Sequence, residues 1–124
     1  MIRADKGKEP EKFISFVEYA LSILAEENYT SFLKLFDSSR LAEQDIILAL
    51  KYLDESRTPV KVDNPLQIKS ENQRVDMLAF NDERGYYMDY DLTTDGAIND
   101  LTIQIEFLKQ DEGYFVVLDD LHTL

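Results

Sequence analysis

The sequence contains no cysteine, and this absence removes several kinds of chemistry at once. Disulfides, zinc–thiolate sites, iron–sulfur clusters and thiol nucleophiles all require that residue. Histidine occurs once, as His122 in the final LHTL. A general base needs a pocket and an orienting partner, and the end of a terminal strand is a poor wall for a pocket. We therefore predict no catalytic residue and no enzyme activity.

Glycine is scarce, and its four residues stand singly at predicted turns, which excludes a phosphate-binding glycine loop. No apolar run approaches membrane-spanning length, and the first residues, MIRADKGKEPEK, are charged where a secretory signal would be apolar. We expect a cytoplasmic protein that needs no cofactor. Its 124 residues suffice for one domain, residues 1–124, of which residues 1–9 are expected to be flexible.

Basic residues are few in the second half of the chain. Residues 1–62 contain nine Lys and Arg against eleven Asp and Glu, whereas residues 63–124 contain four against fourteen. Binding of nucleic acid or of an anionic membrane depends on cations, so neither is expected as a partner. A basic protein would be attracted by this charge. The alternative is that the acidity only keeps the protein in solution.

Apolar residues at helical spacing dominate the first part of the chain. They predict a helix from Pro10 to about Glu27, a short helix from Ser31 to Phe36 capped by Thr30, and a third from Leu41 to Leu53.

Alternating apolar and polar residues follow from residue 74 onward and indicate strands. The clearest pair lies within Gly85–Leu108, flanked by strands at Arg74–Phe80 and Tyr114–Asp119. Residues 60–64 are an edge strand or an extended connection, and Gln67–Glu71 is a short strand. The order predicts an α+β domain whose N-terminal helices pack on one face of a curved antiparallel sheet of four to five strands.

The outward positions of the two central strands are acidic. Alternation places Asp89, Asp91 and Glu106 on the face turned away from the helices, together with Tyr87. Further acids lie in the predicted loops, Asp82 and Glu83 at one end and Asp95 and Asp100 at the other. Tyrosine beside carboxylates is a mixture found in protein interfaces, so we predict that these eight residues bind a partner. A solvated outer surface without a partner is the alternative.

Residues 91–99, DLTTDGAIN, resemble part of a calcium-binding loop. The twelfth position of that template is Thr102, where a bidentate Glu is required, and the flanking segments are strands where helices are expected. Asp-Gly is also a common turn. We predict no metal site.

The order of elements resembles the cone-shaped, cystatin-like group that includes nuclear-transport-factor-like proteins. The segments YDLTTDGAINDLTIQIEF and YFVVLDDLHTL resemble a bacterial domain of uncharacterised function found in small acidic proteins. Several of those resemble immunity proteins encoded beside secreted toxins, including contact-dependent growth inhibition systems. The resemblance implies an immunity role and no catalytic motif.

These observations lead to one hypothesis and one alternative. The hypothesis is an immunity protein, or antitoxin, that neutralises a basic toxin domain, a nuclease, through its acidic surface. The alternative is a small-molecule-binding or enzymatic cone domain, whose pocket would be lined by Tyr86, Met88, Tyr90 and aromatic residues of the first helices.

Overall fold

The computed structural model describes residues 1–123, in which helices come first and strands follow. The elements are α1 (Glu9–Ala25), α2 (Tyr29–Lys34), β1 (Ser38–Ser39), α3 (Glu43–Leu50), β2 (Val75–Ala79), β3 (Gly85–Thr94), β4 (Ala97–Gln110) and β5 (Gly113–Thr123). The strands form one open sheet in the order β1-β5-β4-β3-β2. The predicted α+β class, with N-terminal helices and a curved sheet of five strands, is confirmed.

Helix α1 begins where the sequence changes from charged residues to a helical apolar pattern. Pro10 lies in its first turn, where its missing N–H costs no helical bond, and Glu9 and Glu11 complement the helix dipole there. Phe13 and Val17, one turn apart, are fully buried. The helix therefore packs its apolar stripe onto the sheet.

One face of the sheet, the inner face, forms the core with the helices. The Phe13 ring stacks on Phe107 of β4 with 4.0 Å between ring centroids. The antiparallel register places Met88 opposite Ile105 and Tyr90 opposite Ile103. All of these side chains are buried in one cluster. The alternation read from the sequence thus assigns the inner face correctly.

Strand β1 was not predicted, because two residues are too few to show an alternating pattern. Ser38 and Ser39 pair with Val117 and Leu118 of β5 in parallel. This makes the sheet mixed, where we had predicted a wholly antiparallel one. The backbone N–H groups of Asp37 and Arg40 donate to β5 carbonyls at 2.9 Å on either side of this bridge.

Several predicted boundaries shift in the structure. Helix α2 begins at Tyr29 because Asn28, whose Oδ1 accepts from the Ser31 N–H, is the N-cap in place of Thr30. Residues 60–64 and 67–71 form no strand. Ile2, expected in a flexible segment, exchanges two backbone hydrogen bonds with Tyr114. Within residues 1–123, no helix is long and apolar enough to cross a membrane.

Candidate protein-binding face

The sheet face turned away from the helices, here called the acidic face, carries six carboxylates on β2–β5. Cross-strand pairing aligns Asp76 with Asp89, Asp89 with Gln104 and Gln104 with Asp120. A second row joins Tyr87 to Glu106. A bulge beside Gln104 adds one residue to β5, Asp119. The six acids are Asp76, Asp89, Asp91, Glu106, Asp119 and Asp120.

Arg74, just before β2, contacts three of these carboxylates. Its guanidinium nitrogens lie 3.2 Å from Asp91 Oδ1, 3.2 Å from Asp76 Oδ2 and 3.8 Å from Asp89 Oδ2. The hydrogen bond and charge of Asp91 raise the pKa of Arg74, with smaller contributions from Asp76 and Asp89. One arginine thus holds together three acids that would otherwise repel one another.

Asp91 is a structural residue of this face and not an exposed one. It is only 6% exposed, and its Oδ1 accepts a hydrogen bond of 2.8 Å from the buried Thr102 hydroxyl in addition to the contact with Arg74. Alternation had placed Asp91 outward among the residues that bind a partner. The direction is correct, but Arg74 covers the carboxylate, so Asp91 presents little surface to a partner.

Arg40 makes the corresponding contact at the opposite side of the acidic face. It reaches from the loop after β1 to Glu106 Oε1 at 2.8 Å and to the carboxylate of Asp119. Asp119 foremost, and then Glu106, raises the pKa of Arg40. The six carboxylates exceed the two arginines that contact them, Arg74 and Arg40, by four charges.

A shallow depression of about 190 Å³ lies between the two arginine clusters. Asp89, Gln104, Glu106 and Asp119 contribute to its wall, and the Gln104 amide donates to Asp89 Oδ1 at 3.0 Å. Phe80 and Tyr87 form its aromatic side, with ring centroids 5.2 Å apart. The guanidinium of Arg84 lies 4.1 Å from the Phe80 ring centroid. An aromatic surface therefore adjoins a carboxylate-lined hollow.

The predicted loop acids lie at the two ends of the sheet. Asp82 and Glu83 are exposed in the β2–β3 loop, whereas Asp95 and Asp100 are exposed near the β3–β4 turn. The length of β3 separates these ends by about 30 Å at the usual rise per residue. The eight predicted residues therefore do not form a single site. Tyr87, Asp89 and Glu106 share the centre, beside the covered Asp91.

The segment that resembles a calcium loop is the end of the β3–β4 hairpin, with a two-residue turn between the strands. Asp95 and Gly96 both have positive φ, at 52° and 79°, as a type I′ hairpin turn requires. The Asp63 carboxylate accepts from both of their backbone N–H groups, at 3.0 and 2.8 Å, and from the Thr93 hydroxyl at 2.7 Å. Across residues 1–123 no group of three or more His, Cys, Asp or Glu side chains is arranged so that it could hold a metal ion.

Two of the residues that the alternative hypothesis places in a pocket, Met88 and Tyr90, are buried in the core, whereas Tyr86 is half-buried. Met88 and Tyr90 are each 1% exposed, and Tyr86 packs against the Phe13 ring. The Tyr90 hydroxyl donates to Glu18 Oε2 at 2.8 Å, and Lys69 reaches the same oxygen at 2.9 Å. Burial, followed by the hydrogen bond to Glu18, raises the pKa of Tyr90. Met88 and Tyr90 therefore pack against the helices and, within residues 1–123, line no open cavity at their side of the core.

His122 lies on the acidic face beside Thr102, its cross-strand partner. Its Nδ1 is 3.3 Å from Asp120 Oδ2. The histidine is half-buried at this position.

Sequence reasoning missed Phe80, Asp119 and the two arginines. Alternation in the predicted strands places Phe80 and Asp119 outward, so this signal was present in the sequence. Arg40 and Arg74 lie outside the strands. Each is far along the chain from its partner, Glu106 or Asp91, so no local sequence pattern indicates these contacts.

Comparison with known proteins identifies a family for most of the chain. Residues 21–124 match the family described as Domain of unknown function (DUF7668), and the chain belongs to it. No curated protein matches the chain. No solved structure matches it either.

Proposed function

We propose that this protein is an immunity protein that binds and neutralises a basic toxin domain, a nuclease, through the acidic face. The observation that supports this is the arrangement of the face itself. Carboxylates line an open depression next to the half-buried rings of Phe80 and Tyr87, on a sheet whose other face is covered by the helices. A rigid sheet holds these groups in place, so the side chains of this face would lose little conformational entropy when a partner binds.

The excess charge provides the attraction. The excess of carboxylates over arginines on this face, within a chain of net charge −12, steers a basic protein toward it and raises the association rate at low salt. A nuclease concentrates Lys and Arg where it holds phosphate. The acidic face therefore offers such a site negative charge, as the phosphates of its nucleic-acid substrate do.

Different residues of the face have different roles in this proposal. Asp89, Glu106 and Asp119 meet cations of the toxin at the depression, and Tyr87 with Phe80 forms the apolar anchor. The loop acids Asp82, Glu83, Asp95 and Asp100 act at longer range by steering.

Arg74 and Arg40 prevent the acids from repelling one another before a partner arrives. Each arginine contacts more than one carboxylate, so the acids stay close together in the free protein. A toxin cation then joins an existing cluster and orders few additional side chains. Asp91 positions Arg74 and does not itself meet the partner.

Association kinetics with the protein encoded by the adjacent reading frame test this proposal, which requires that protein to contain a basic nuclease domain. The variant Asp89→Asn/Glu106→Gln/Asp119→Asn removes three charges and keeps the side-chain shapes. We expect its on-rate to fall at least tenfold in low salt, with the difference shrinking as salt screens the wild-type attraction. Inhibition of nuclease activity by stoichiometric protein should weaken in parallel.

The matched control is Glu11→Gln/Glu27→Gln/Glu55→Gln, which removes the same number of charges from exposed positions outside the acidic face. Its on-rate should stay within about twofold of wild type, since steering depends on where the charge lies. Equal on-rates for wild type and both variants at low and high salt would show that the acidic face is only a solvated surface.

A further inference from the structure

Strand β2 ends the sheet on one side, and its outer edge has unpaired backbone groups. The Phe80 N–H donates to the Gly85 carbonyl, and the Asp91 N–H donates to the Arg74 carbonyl. In an antiparallel pair, every second residue forms backbone hydrogen bonds with the partner strand, so Asp76 and Leu78 also bond to β3. The N–H and C=O groups of the alternate residues point away from β3. Within residues 1–123, no element pairs with that second edge. The three residues with outward-pointing backbone groups are Val75, Met77 and Ala79.

This edge has little of the usual protection against pairing. Edge strands are commonly shielded by charged side chains, proline, a bulge, inward-pointing charge or very short length, and of these β2 has one outward charge, Asp76. Strand β2 contains no proline, pairs with β3 without a register shift, and has only apolar side chains at its inner positions. Val75 is 37% exposed and Leu78 54% exposed. The opposite edge, β1, is only two residues long.

The charge around β2 determines what would pair with it. Asp76 is exposed on the acidic face beside Asp89, so an added strand would place its own outward side chains next to carboxylates. A cation fits opposite Asp76, and apolar side chains fit beside the inner positions. A second copy of this chain fits poorly, because each copy has a net charge of −12.

We propose that the free edge of β2 binds an extended cationic segment of a protein partner, which adds to the sheet as a sixth strand. Antiparallel pairing is the stronger arrangement per residue, and main-chain hydrogen bonds to Val75, Met77 and Ala79 would form it. The inference rests on the proposed function in one respect, that the partner is cationic. It adds a second contact, continuous with the acidic face and based on backbone pairing.

Peptide binding to the full chain tests the pairing. The probe is a blocked ten-residue peptide of alternating Lys and Val. In an antiparallel added strand, the peptide residue opposite Met77 exchanges both backbone hydrogen bonds with it and places its side chain on the same, inner face of the sheet. Val fits that apolar inner position, so the Val N–H groups point toward β2 and the Lys N–H groups point away from it. N-methylation of the Val residues should weaken binding at least tenfold. N-methylation of the Lys residues is the matched control, with equal charge and bulk, and should leave the affinity nearly unchanged.

Amide hydrogen exchange gives a second measurement that needs no altered peptide. In the free protein, the Met77 and Ala79 amides should exchange at least tenfold faster than the Leu78 amide, which is bonded to β3. The unmethylated peptide should slow Met77 and Ala79 and leave Leu78 unchanged. Equal affinity of the two methylated peptides would overturn the proposal. Slow exchange of the Met77 and Ala79 amides in the free protein would also overturn the proposal. This holds too if sedimentation shows a dimer, because a second copy would then occupy the edge.

The outcomes separate this inference from the proposed function. If the methylation effect is present and the toxin does not associate, the edge binds a different cationic partner and the immunity role is wrong. If the toxin associates through the acidic face while both methylated peptides bind equally, only the edge pairing is wrong.

Discussion

The two faces of the sheet are built from the same strands and differ in what buries them. On the inner face, Met88 and Ile103 are buried because the helices cover them. Within residues 1–123 no helix packs on the acidic face, yet burial there is uneven. Asp91 is nearly as inaccessible as the inner residues, whereas Asp89, two positions away on the same strand, is half-buried. A position on the outer face is therefore not the same as exposure, because a single arginine can cover a neighbouring carboxylate.

The largest expected effect comes from placing a charge on the inner face. Ile103→Asp buries an unpaired carboxylate among Tyr90, Leu121 and the helices, which costs several kcal/mol and should abolish cooperative unfolding at 25 °C. The adjacent outer residue supplies the control, since Gln104→Lys adds a cation among acids and should leave the melting temperature within a few degrees. Similar melting temperatures for wild type and Ile103→Asp would contradict the assignment of the two faces.

A smaller effect distinguishes two carboxylates on the acidic face. Asp91→Ala leaves the buried Thr102 hydroxyl without its acceptor, so we expect a loss of about 1–3 kcal/mol in the free energy of unfolding. Asp89→Ala, at a more exposed position that also contacts Arg74, should lose less than about 1 kcal/mol. Urea denaturation measures both. Equal losses would show that the burial of Asp91 does not contribute to stability.

The smallest effect is on stability at high pH and concerns the hydroxyl group of Tyr90, on the inner face of the sheet. Burial raises the pKa of Tyr90 above its usual value of 10.0. Its contribution to stability is complete below pH 10, because both states are then protonated, and is lost above it as the unfolded state releases a proton that the folded state retains. One such group changes the free energy of unfolding by at most about 1.4 kcal/mol per pH unit.

Tyr90→Phe should therefore make the decline of unfolding free energy above pH 10 shallower than in wild type. Denaturant unfolding at pH 8, 10 and 11 measures the slope. Tyr19→Phe, at an exposed position, is the control and should keep the wild-type slope. A Tyr90→Phe slope identical to wild type would show that Tyr90 ionises equally easily in both states.

Parts of the candidate site could be predicted from the sequence. Alternation assigned Tyr87, Asp89 and Glu106 correctly to the outer face, because side-chain direction in a strand depends only on position along it. The same rule could not report that Asp91 is covered. That depends on Arg74 lying opposite Asp91 on the neighbouring strand, 17 residues away in the chain. The depression beside Phe80 and Tyr87 likewise requires three strands in register.

What the sequence by itself determined was the α+β class, the helices and the inner face of the central strands, since these follow from local periodicity and the exclusion of apolar surface from water. Tertiary structure alone decided the parallel bridge of β1 to β5, the placement of Arg40 and Arg74 among the carboxylates, and the open edge at β2. Each of these depends on contacts between residues far apart in the chain. Periodicity records how a residue relates to its neighbours in sequence, and it contains no information about which distant segment lies beside it.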